Sequence, residues 1–162
     1  MNKTTITTDV ENKKVTVERV FAAPLKRVWT AWTDSSVLDQ WWAPKPWKAV
    51  THSFDFREGG HWHYYMSGPE GEKNWVWVDF FTIHPLESFT AEDFFCDAEG
   101  NRDSAIAGMY WLNEFHAEGE STRVVAIITF ASTDDLNQIM AMGFEQGFSM
   151  GLDNLEELLA GK

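Results

Sequence analysis

The chain has 162 residues, of which 44% are hydrophobic and 23% are charged, and this balance excludes a disordered or low-complexity protein. The 13 basic and 25 acidic residues leave a net charge of −12, which disfavours nucleic acids and anionic membrane surfaces as partners. The single cysteine, Cys96, allows no internal disulfide, and the N-terminus lacks the apolar run of a signal peptide. We therefore expect one cytoplasmic domain over residues 1–162, without membrane insertion.

The N-terminal part of the chain predicts one strand followed by two short helices. Lys14 to Phe21 alternates apolar and polar residues, which indicates a half-buried strand, and residues 1–12 are either flexible or an added edge strand. Pro24 suits the first turn of a helix, and apolar residues follow it at helical spacing. Ser36 and Asp39 form a candidate capping box for a second helix.

The rest of the chain predicts a meander of strands and one long terminal helix. Between Trp47 and about Phe130, glycine-rich and proline-rich turns separate six short apolar runs, as in an antiparallel sheet. Ser132 and Asp135 form a capping box before a helical pattern that continues to Leu159. The order predicts an α+β fold in which a curved antiparallel sheet wraps around the long C-terminal helix.

Short motifs spread along the chain resemble one known family. They are Arg19 and Phe21 before Ala23-Pro24, the pairs Val28-Trp29, Trp32-Thr33 and Trp41-Trp42 with Pro44, Asp55 and Arg57 with Gly59-Gly60, Ile83 with Pro85, and Gly143-Phe144-Glu145-Gln146-Gly147 before Leu152 and Leu155. With this combination, over about residues 13–160, the chain resembles the SRPBCC or START-like superfamily, and within it the proteins similar to the activator of the ninety-kilodalton heat-shock protein ATPase. The resemblance implies a helix-grip fold with a cavity between sheet and helix, and it implies no shared catalytic residues.

The excess of aromatic residues points to that cavity as the candidate site. The chain has 9 Trp and 12 Phe, and flat aromatic walls with adaptable methionines suit a hydrophobic or aromatic ligand. A plain packed core is the alternative, and both faces of the Trp75 to Ile83 strand are apolar, so periodicity does not choose between them. The predicted ligand-binding residues are Trp62, Tyr64, Met66, Trp77, Asp79, Met109, Trp111, Met140, Phe144 and Phe148.

Three glycines recur every four residues in the predicted terminal helix. Gly143, Gly147 and Gly151 therefore share one stripe, although each costs about 1 kcal/mol relative to alanine in a helix interior. The stripe indicates either a close approach of the sheet, which we favour, or space for a ligand beside Met140, Phe144 and Phe148.

Two acidic residues, Asp79 and Asp93, are flanked by apolar residues. They are therefore the carboxylates that we expect to be drawn towards the interior. Asp79 stands near a position where relatives often carry a small residue, and it is a candidate to orient a polar ligand group or to act as a general base. A carboxylate at the sheet rim, bonded to a turn, is the simpler interpretation.

Other motifs carry weaker signals. The run from Gly147 to Gly151 matches a nucleophile elbow, but it lies inside a helical pattern, so we predict no catalytic residue there. His52, His61 and His63 lack a nearby cysteine or a specified acidic ligand, and we predict neither a metal site nor a cofactor.

These observations favour a binding protein for a small hydrophobic or aromatic molecule. The resemblance also implies two alternatives, an interaction protein with a chaperone as partner and a cyclase-like or hydrolase-like enzyme that uses the same cavity.

Overall fold

The structure is a computed structural model that describes residues 4–161. Its elements, in chain order, are β1 (Thr5–Asp9), β2 (Lys14–Phe21), α1 (Leu25–Thr33), α2 (Ser35–Trp41), β3 (Lys48–Asp55), β4 (His61–Ser67), β5 (Lys73–His84), β6 (Ser88–Cys96), β7 (Met109–Glu118), β8 (Ser121–Thr129), α3 (Thr133–Ala141) and α4 (Phe144–Leu159). The predicted α+β helix-grip fold is confirmed.

One antiparallel sheet of eight strands carries the fold, in the order β1-β2-β8-β7-β6-β5-β4-β3. Among the described strands, only the β2 to β8 pairing joins strands distant in sequence, because α1, α2 and five strands lie between them in the chain. Residues 5–9 form the edge strand β1, one of the two arrangements expected for the N-terminal segment. The two-residue periodicity that predicted β2 reappears as strict alternation of buried and half-buried residues.

The turn between β3 and β4 contains a close backbone approach that requires glycine. A Cβ atom on Gly60 would overlap the carbonyl oxygen of Asp55, and Gly59 has a φ of 82°. The backbone N–H of Gly59 donates to the Phe80 carbonyl at 2.9 Å, and the N–H of Phe80 donates to the Gly60 carbonyl at 3.0 Å. These bonds tie the turn to β5 and set the position of the strand that follows.

The predicted long terminal helix is two helices, α3 and α4, and this part of the prediction is wrong. The Ser132 cap is present, since its Oγ accepts from the N–H of Asp135 at 3.1 Å. The helix ends near Met142 because Gly143 adopts a left-handed φ of 90°, which α-helical geometry does not allow. The apolar periodicity continues across this break because both helices face the same core, so the pattern alone did not reveal it.

Helix α4 packs against the C-terminal end of α2 through small and polar residues. A Cβ on Gly151 would lie 3.0 Å from the carbonyl oxygen of Trp42, which shows how closely the two backbones approach. The Asn154 side chain donates to the carbonyls of Ala43 at 3.0 Å and Trp41 at 3.4 Å. Close packing, the alternative that the sequence favoured, therefore holds for Gly151, with α2 rather than the sheet as the neighbour.

Candidate functional site

A cavity of about 260 Å³ lies between the inner face of the sheet and the junction of α3 with α4. Of the described residues that line it, only Asp93 is charged. Met142 lines the cavity and is 52% exposed, so its side chain marks where the cavity approaches the surface. The volume is just below the range of about 300–1,000 Å³ that is typical of small-molecule sites.

The sheet forms one wall of the cavity with side chains from four adjacent strands. Strand alternation points one residue in two inward, and because β4, β5, β6 and β7 pair in register, these inward residues meet. They are Tyr64, Met66, Val76, Asp93, Phe95, Met109 and Trp111. Val76 and its neighbours Val78 and Phe80 are buried, which shows that this is the inner face of β5.

The helices form the opposite wall, and two glycines leave part of it open. Gly143 and Gly147 both line the cavity, together with Ile139, Phe144 and Phe148. A Cβ on Gly147 would have only the Cγ of Pro44 as a neighbour, at 3.9 Å, so the missing side chain leaves real space. The glycine stripe thus has two uses, since Gly147 borders the cavity whereas Gly151 packs against α2.

A second, smaller space adjoins the large cavity deeper in the core, and we call it the inner chamber. It has a volume of about 40 Å³, and Trp42, Asp93 and Trp111 line both spaces. The remaining residues around it include Trp32, Trp62 and Asn113. The two spaces therefore share a boundary made of two indole rings and one carboxyl group.

The aromatic rings at this boundary contact each other mostly edge to face. The ring centres of Trp111 and Phe148 lie 5.3 Å apart at 90°, and those of Trp42 and Phe148 lie 5.8 Å apart at 62°. Trp42 also contacts Trp62 at 5.7 Å. Such contacts are favourable and hold each ring in a fixed orientation, so the cavity walls are preformed.

Asp93 is a carboxyl group enclosed by apolar side chains. It is 8% exposed, and its Oδ1 has no hydrogen-bond partner among the described residues. Burial raises the pKa of Asp93 to about 7, an effect that the nearby Trp111 indole and the Met109 backbone N–H only partly oppose. The group therefore exchanges a proton near neutral pH and is able to accept or donate a hydrogen bond.

Tyr64 places a second polar group beside the cavity. Its hydroxyl oxygen accepts a hydrogen bond from the Trp42 indole at 2.8 Å, which leaves the hydroxyl proton free to be donated. Burial, and to a lesser degree the charge of Asp93, raises the pKa of Tyr64, so the phenol stays neutral. Tyr64 is thus suited to binding rather than to proton abstraction.

The structure brings together most of the residues that the sequence suggested. Six of them line the cavity, namely Tyr64, Met66, Met109, Trp111, Phe144 and Phe148, and Trp62 lines the inner chamber. Met140 packs against the core, and its neighbours Ile139 and Met142 line the cavity instead. The break at Gly143 accounts for this difference, because it changes which residues of the segment face the sheet.

The sequence assigned Trp77 and Asp79 to the candidate site, but they do not line the cavity because they lie on the opposite face of β5. The Trp77 indole donates to Asp79 at 2.8 Å, and its ring stacks on His61 at 4.5 Å. The roles of ligand contact and general base that the sequence suggested for Asp79 are therefore not available to it at the cavity. The buried Val76 and Val78 take the inner positions instead, a choice that alternation between two apolar faces left open.

Sequence reasoning did not assign Trp42, Asn113 or Trp32 to the site. In the sequence, Trp42 is only part of the family motif Trp41-Trp42 with Pro44, a proline that indicates a turn of the chain there. Asp93 was recognised as a carboxylate prone to burial, but no ligand role was assigned to it. Asn113 has the same strand parity as Trp111 and Phe115, and this alternation in β7 indicates that its polar side chain faces the interior.

The other motifs show no sign of a reactive centre. Ser149 lies inside α4, so the nucleophile-elbow pattern lacks its strand and sharp turn. Burial and Asp97 raise the pKa of the Cys96 thiol to about 11, which disfavours the reactive thiolate. Within residues 4–161 no group of three metal-ligating side chains comes together, and the ring centres of His52 and His63 meet edge to face at 5.2 Å.

The family pattern described as Activator of Hsp90 ATPase homolog 1-like protein matches residues 22–160. The chain belongs to this family. The match extends from the end of β2 to the end of α4, so it includes every cavity residue. The fold of the family is compatible with ligand binding and with a chaperone-associated role.

Solved structures agree with this assignment. A protein from Arthrobacter aurescens is 29% identical with a TM-score of 0.93, and the match covers 98% of this chain and 92% of that one. Protein Ms6760 from Mycobacterium smegmatis is also 29% identical, with a TM-score of 0.89 and 96% of both chains covered. A Staphylococcus epidermidis protein is 25% identical, with a TM-score of 0.85 and coverage of 97% and 94%. Comparison with curated proteins gives no match.

None of the described helices combines the length and the apolar character needed to cross a membrane.

Proposed function

We propose that this protein binds a small hydrophobic or aromatic molecule, in the cytoplasm, in the cavity between the sheet and the α3 to α4 junction. The observation that carries the proposal is a space of about 260 Å³ with aromatic, methionine and aliphatic walls, in which Asp93 is the one charged residue among the described lining residues. A purely structural core does not require this space, because protein interiors normally pack without such voids.

Gly147 supports the proposal because it maintains the space at a cost to the helix. Glycine in a helix interior costs about 1 kcal/mol relative to alanine. At Gly147 no neighbouring backbone demands it, since its hypothetical Cβ would meet one atom at 3.9 Å. An open cavity wall is a reason for glycine at this position.

The first experiment follows the indole N–H signals in the NMR spectrum during titration with naphthalene and with butylbenzene. We expect the signals of Trp42 and Trp111 to shift and saturate, because both rings line the cavity. Trp77 lies on the outer face of the sheet, and its signal serves as an internal control that stays in place. Bound ligand also raises the midpoint of thermal unfolding as its concentration increases.

The Gly147→Leu variant tests the location of the ligand. Its side chain extends into the open wall, so we expect the titration shifts to disappear while the protein remains folded. Gln146→Leu adds the same side chain at a neighbouring exposed position of α4 and should leave binding unchanged. Equal binding by both variants, or no shift with either compound in the native protein, would contradict the proposal.

A further inference from the structure

The inner chamber contains an unusual concentration of unpartnered polar atoms. Four buried side chains that line it each have one polar atom that makes no hydrogen bond within 3.5 Å: Trp32 Nε1, Trp111 Nε1, Asp93 Oδ1 and Asn113 Oδ1. The Trp111 indole lies near enough to Asp93 to lower the pKa of its carboxyl group, but it makes no direct hydrogen bond with Oδ1. Their residues are 3%, 7%, 8% and 3% exposed, respectively. Elsewhere in the described residues such an atom is found once, at Arg19 Nε.

Buried polar atoms without partners are uncommon in folded proteins, so four around one small space need an explanation. The other indoles of the core show that this fold supplies partners where it uses the ring only for packing. Trp41 donates to the Ala31 carbonyl at 2.9 Å, and Trp62 donates to the Thr51 hydroxyl at 3.0 Å. Apart from Arg19 Nε, the described buried polar side-chain atoms without partners thus belong to residues that line the chamber, where another molecule is able to supply the partners.

The four atoms define the chemistry of the missing group. Two are donors, the indole N–H groups, and two are acceptors, the oxygens of Asp93 and Asn113. A hydroxyl group donates one hydrogen bond and accepts up to two, so it serves both kinds of atom. An ammonium group only donates and leaves both indoles unpartnered, whereas a carboxylate only accepts and is repelled by an ionised Asp93.

The size and position of the chamber agree with an end group rather than a whole ligand. Its volume of about 40 Å³ is comparable to the space of roughly one water molecule in the liquid. It adjoins the large apolar cavity across Trp42, Asp93 and Trp111. The two spaces together therefore suit one amphipathic molecule, with its apolar body in the cavity and its polar end in the chamber.

We infer that the ligand carries a neutral hydroxyl group at one end of its apolar body, and that in the inner chamber this group accepts hydrogen bonds from the Trp32 and Trp111 indoles and donates its single proton to Asp93 or Asn113. The inference rests on the proposed function and narrows its ligand to an apolar or aromatic alcohol.

Four matched compounds test it by isothermal titration: 4-phenylbutan-1-ol, its methyl ether, butylbenzene and 4-phenylbutylamine. We expect the alcohol to bind at least about tenfold more tightly than the ether and butylbenzene, because only the alcohol both donates and accepts. In the NMR spectrum, the alcohol should shift the Trp32 and Trp111 indole signals further than butylbenzene does.

Two variants test whether the tighter binding of the alcohol depends on the chamber. Asp93→Leu removes an acceptor inside it, and Asp79→Leu removes a carboxylate from the outer face of the neighbouring strand as the matched control. The advantage of the alcohol over butylbenzene should disappear in the first variant and persist in the second. Should Asp93→Leu fail to fold, Asn113→Leu provides the same test on β7.

The outcomes separate this inference from the proposed function. Equal affinity for alcohol, ether and butylbenzene would mean that the chamber holds only ordered water, which overturns the inference and leaves cavity binding intact. Tightest binding of the amine would overturn the hydroxyl assignment in favour of a cation. Binding of none of the four compounds would overturn both proposals.

Discussion

Asp93 illustrates, at the scale of single residues, how the surroundings of a side chain determine its chemistry. Asp79, Asp93 and Glu92 lie on adjacent strands, yet only Asp93 is enclosed at the boundary of the cavity and the chamber. Glu92 is bonded to Arg102 at 3.0 Å, and Asp79 accepts from Trp77. Asp93 has no salt-bridge partner among the described residues, and burial raises its pKa to about 7 because the Trp111 indole and the Met109 N–H oppose this effect only in part.

This shift predicts a specific dependence of stability on pH. Between about pH 4 and pH 7 the folded protein keeps the Asp93 proton that the unfolded chain has lost, so stability decreases as the pH rises through this interval. The slope is about 1.4 kcal/mol per pH unit for one proton, and it vanishes above the folded-state pKa.

Asp93→Asn removes this titration, so its stability relative to the native protein should increase from pH 5 to pH 8. Urea unfolding at several pH values measures the difference between the two proteins and cancels the other ionisable groups. Asp79→Asn makes the same chemical change on the outer face of β5 and serves as the matched comparison. A constant difference between the native protein and Asp93→Asn would contradict the burial effect.

The three glycines near the C-terminus show, at the scale of elements, how one spacing pattern serves three purposes. Gly143 ends one helix and begins another with a φ of 90°, Gly147 leaves the cavity wall open, and Gly151 admits the carbonyl oxygens of Trp42 and Trp41 at 3.0 and 3.4 Å from a Cβ. The sequence predicted that the stripe had a structural reason. It did not separate these uses, because each depends on a different neighbour in space.

Alanine substitutions at these glycines should therefore have different effects on the free energy of unfolding. Gly147→Ala should stabilise the protein by about 0.5–1 kcal/mol, because helix propensity improves without a clash. Gly143→Ala should destabilise it by about 1–2 kcal/mol, because alanine resists a left-handed φ. The free energy of unfolding of Gly151→Ala should be lower than that of Gly147→Ala, because the new Cβ crowds the Trp42 carbonyl oxygen. Denaturant unfolding measures all three, and equal values would contradict these assignments.

Arg19 connects distant parts of the chain at the scale of the whole molecule. Its side chain on β2 is 3% exposed and reaches Asp153 at 2.6 Å and Glu156 at 3.0 Å on α4. This guanidinium joins the N-terminal side of the sheet to the last helix, which also forms one wall of the cavity. A buried cation of this kind depends on its carboxylate partners.

Removing both partners, as in Asp153→Asn with Glu156→Gln, should reduce the free energy of unfolding by about 2 kcal/mol. This value lies below the range for fully buried pairs because the carboxylates are 63% and 43% exposed. The matched control is Glu157→Gln on the same helix, whose 3.4 Å pair with Lys45 is exposed at both ends and should contribute little. A loss of stability in the control as large as in the double variant would contradict a special role for Arg19.

Local features of this protein followed from the sequence by itself. The alternation in β2, the Ser132 cap and the turns that delimit six strands depend on residues close together in the chain, and the structure contains them. The family motifs also identified the helix-grip fold from short stretches of sequence. Gly59-Gly60 is needed for the turn before β4, and Trp41-Trp42 makes packing contacts in the core. Tyr64 and Trp111, two of the aromatic residues that the sequence suggested for the site, line the cavity.

Other features were decided only by the tertiary structure. Both faces of β5 are apolar, so only the packing of the sheet against the helices placed Val76 inside and Trp77 outside. The inner chamber brings together Trp32 from α1, Asp93 from β6 and Asn113 from β7, which no sequence spacing connects. Periodicity reports the direction of a side chain within its own element, whereas a cavity depends on which elements meet and how much space they leave.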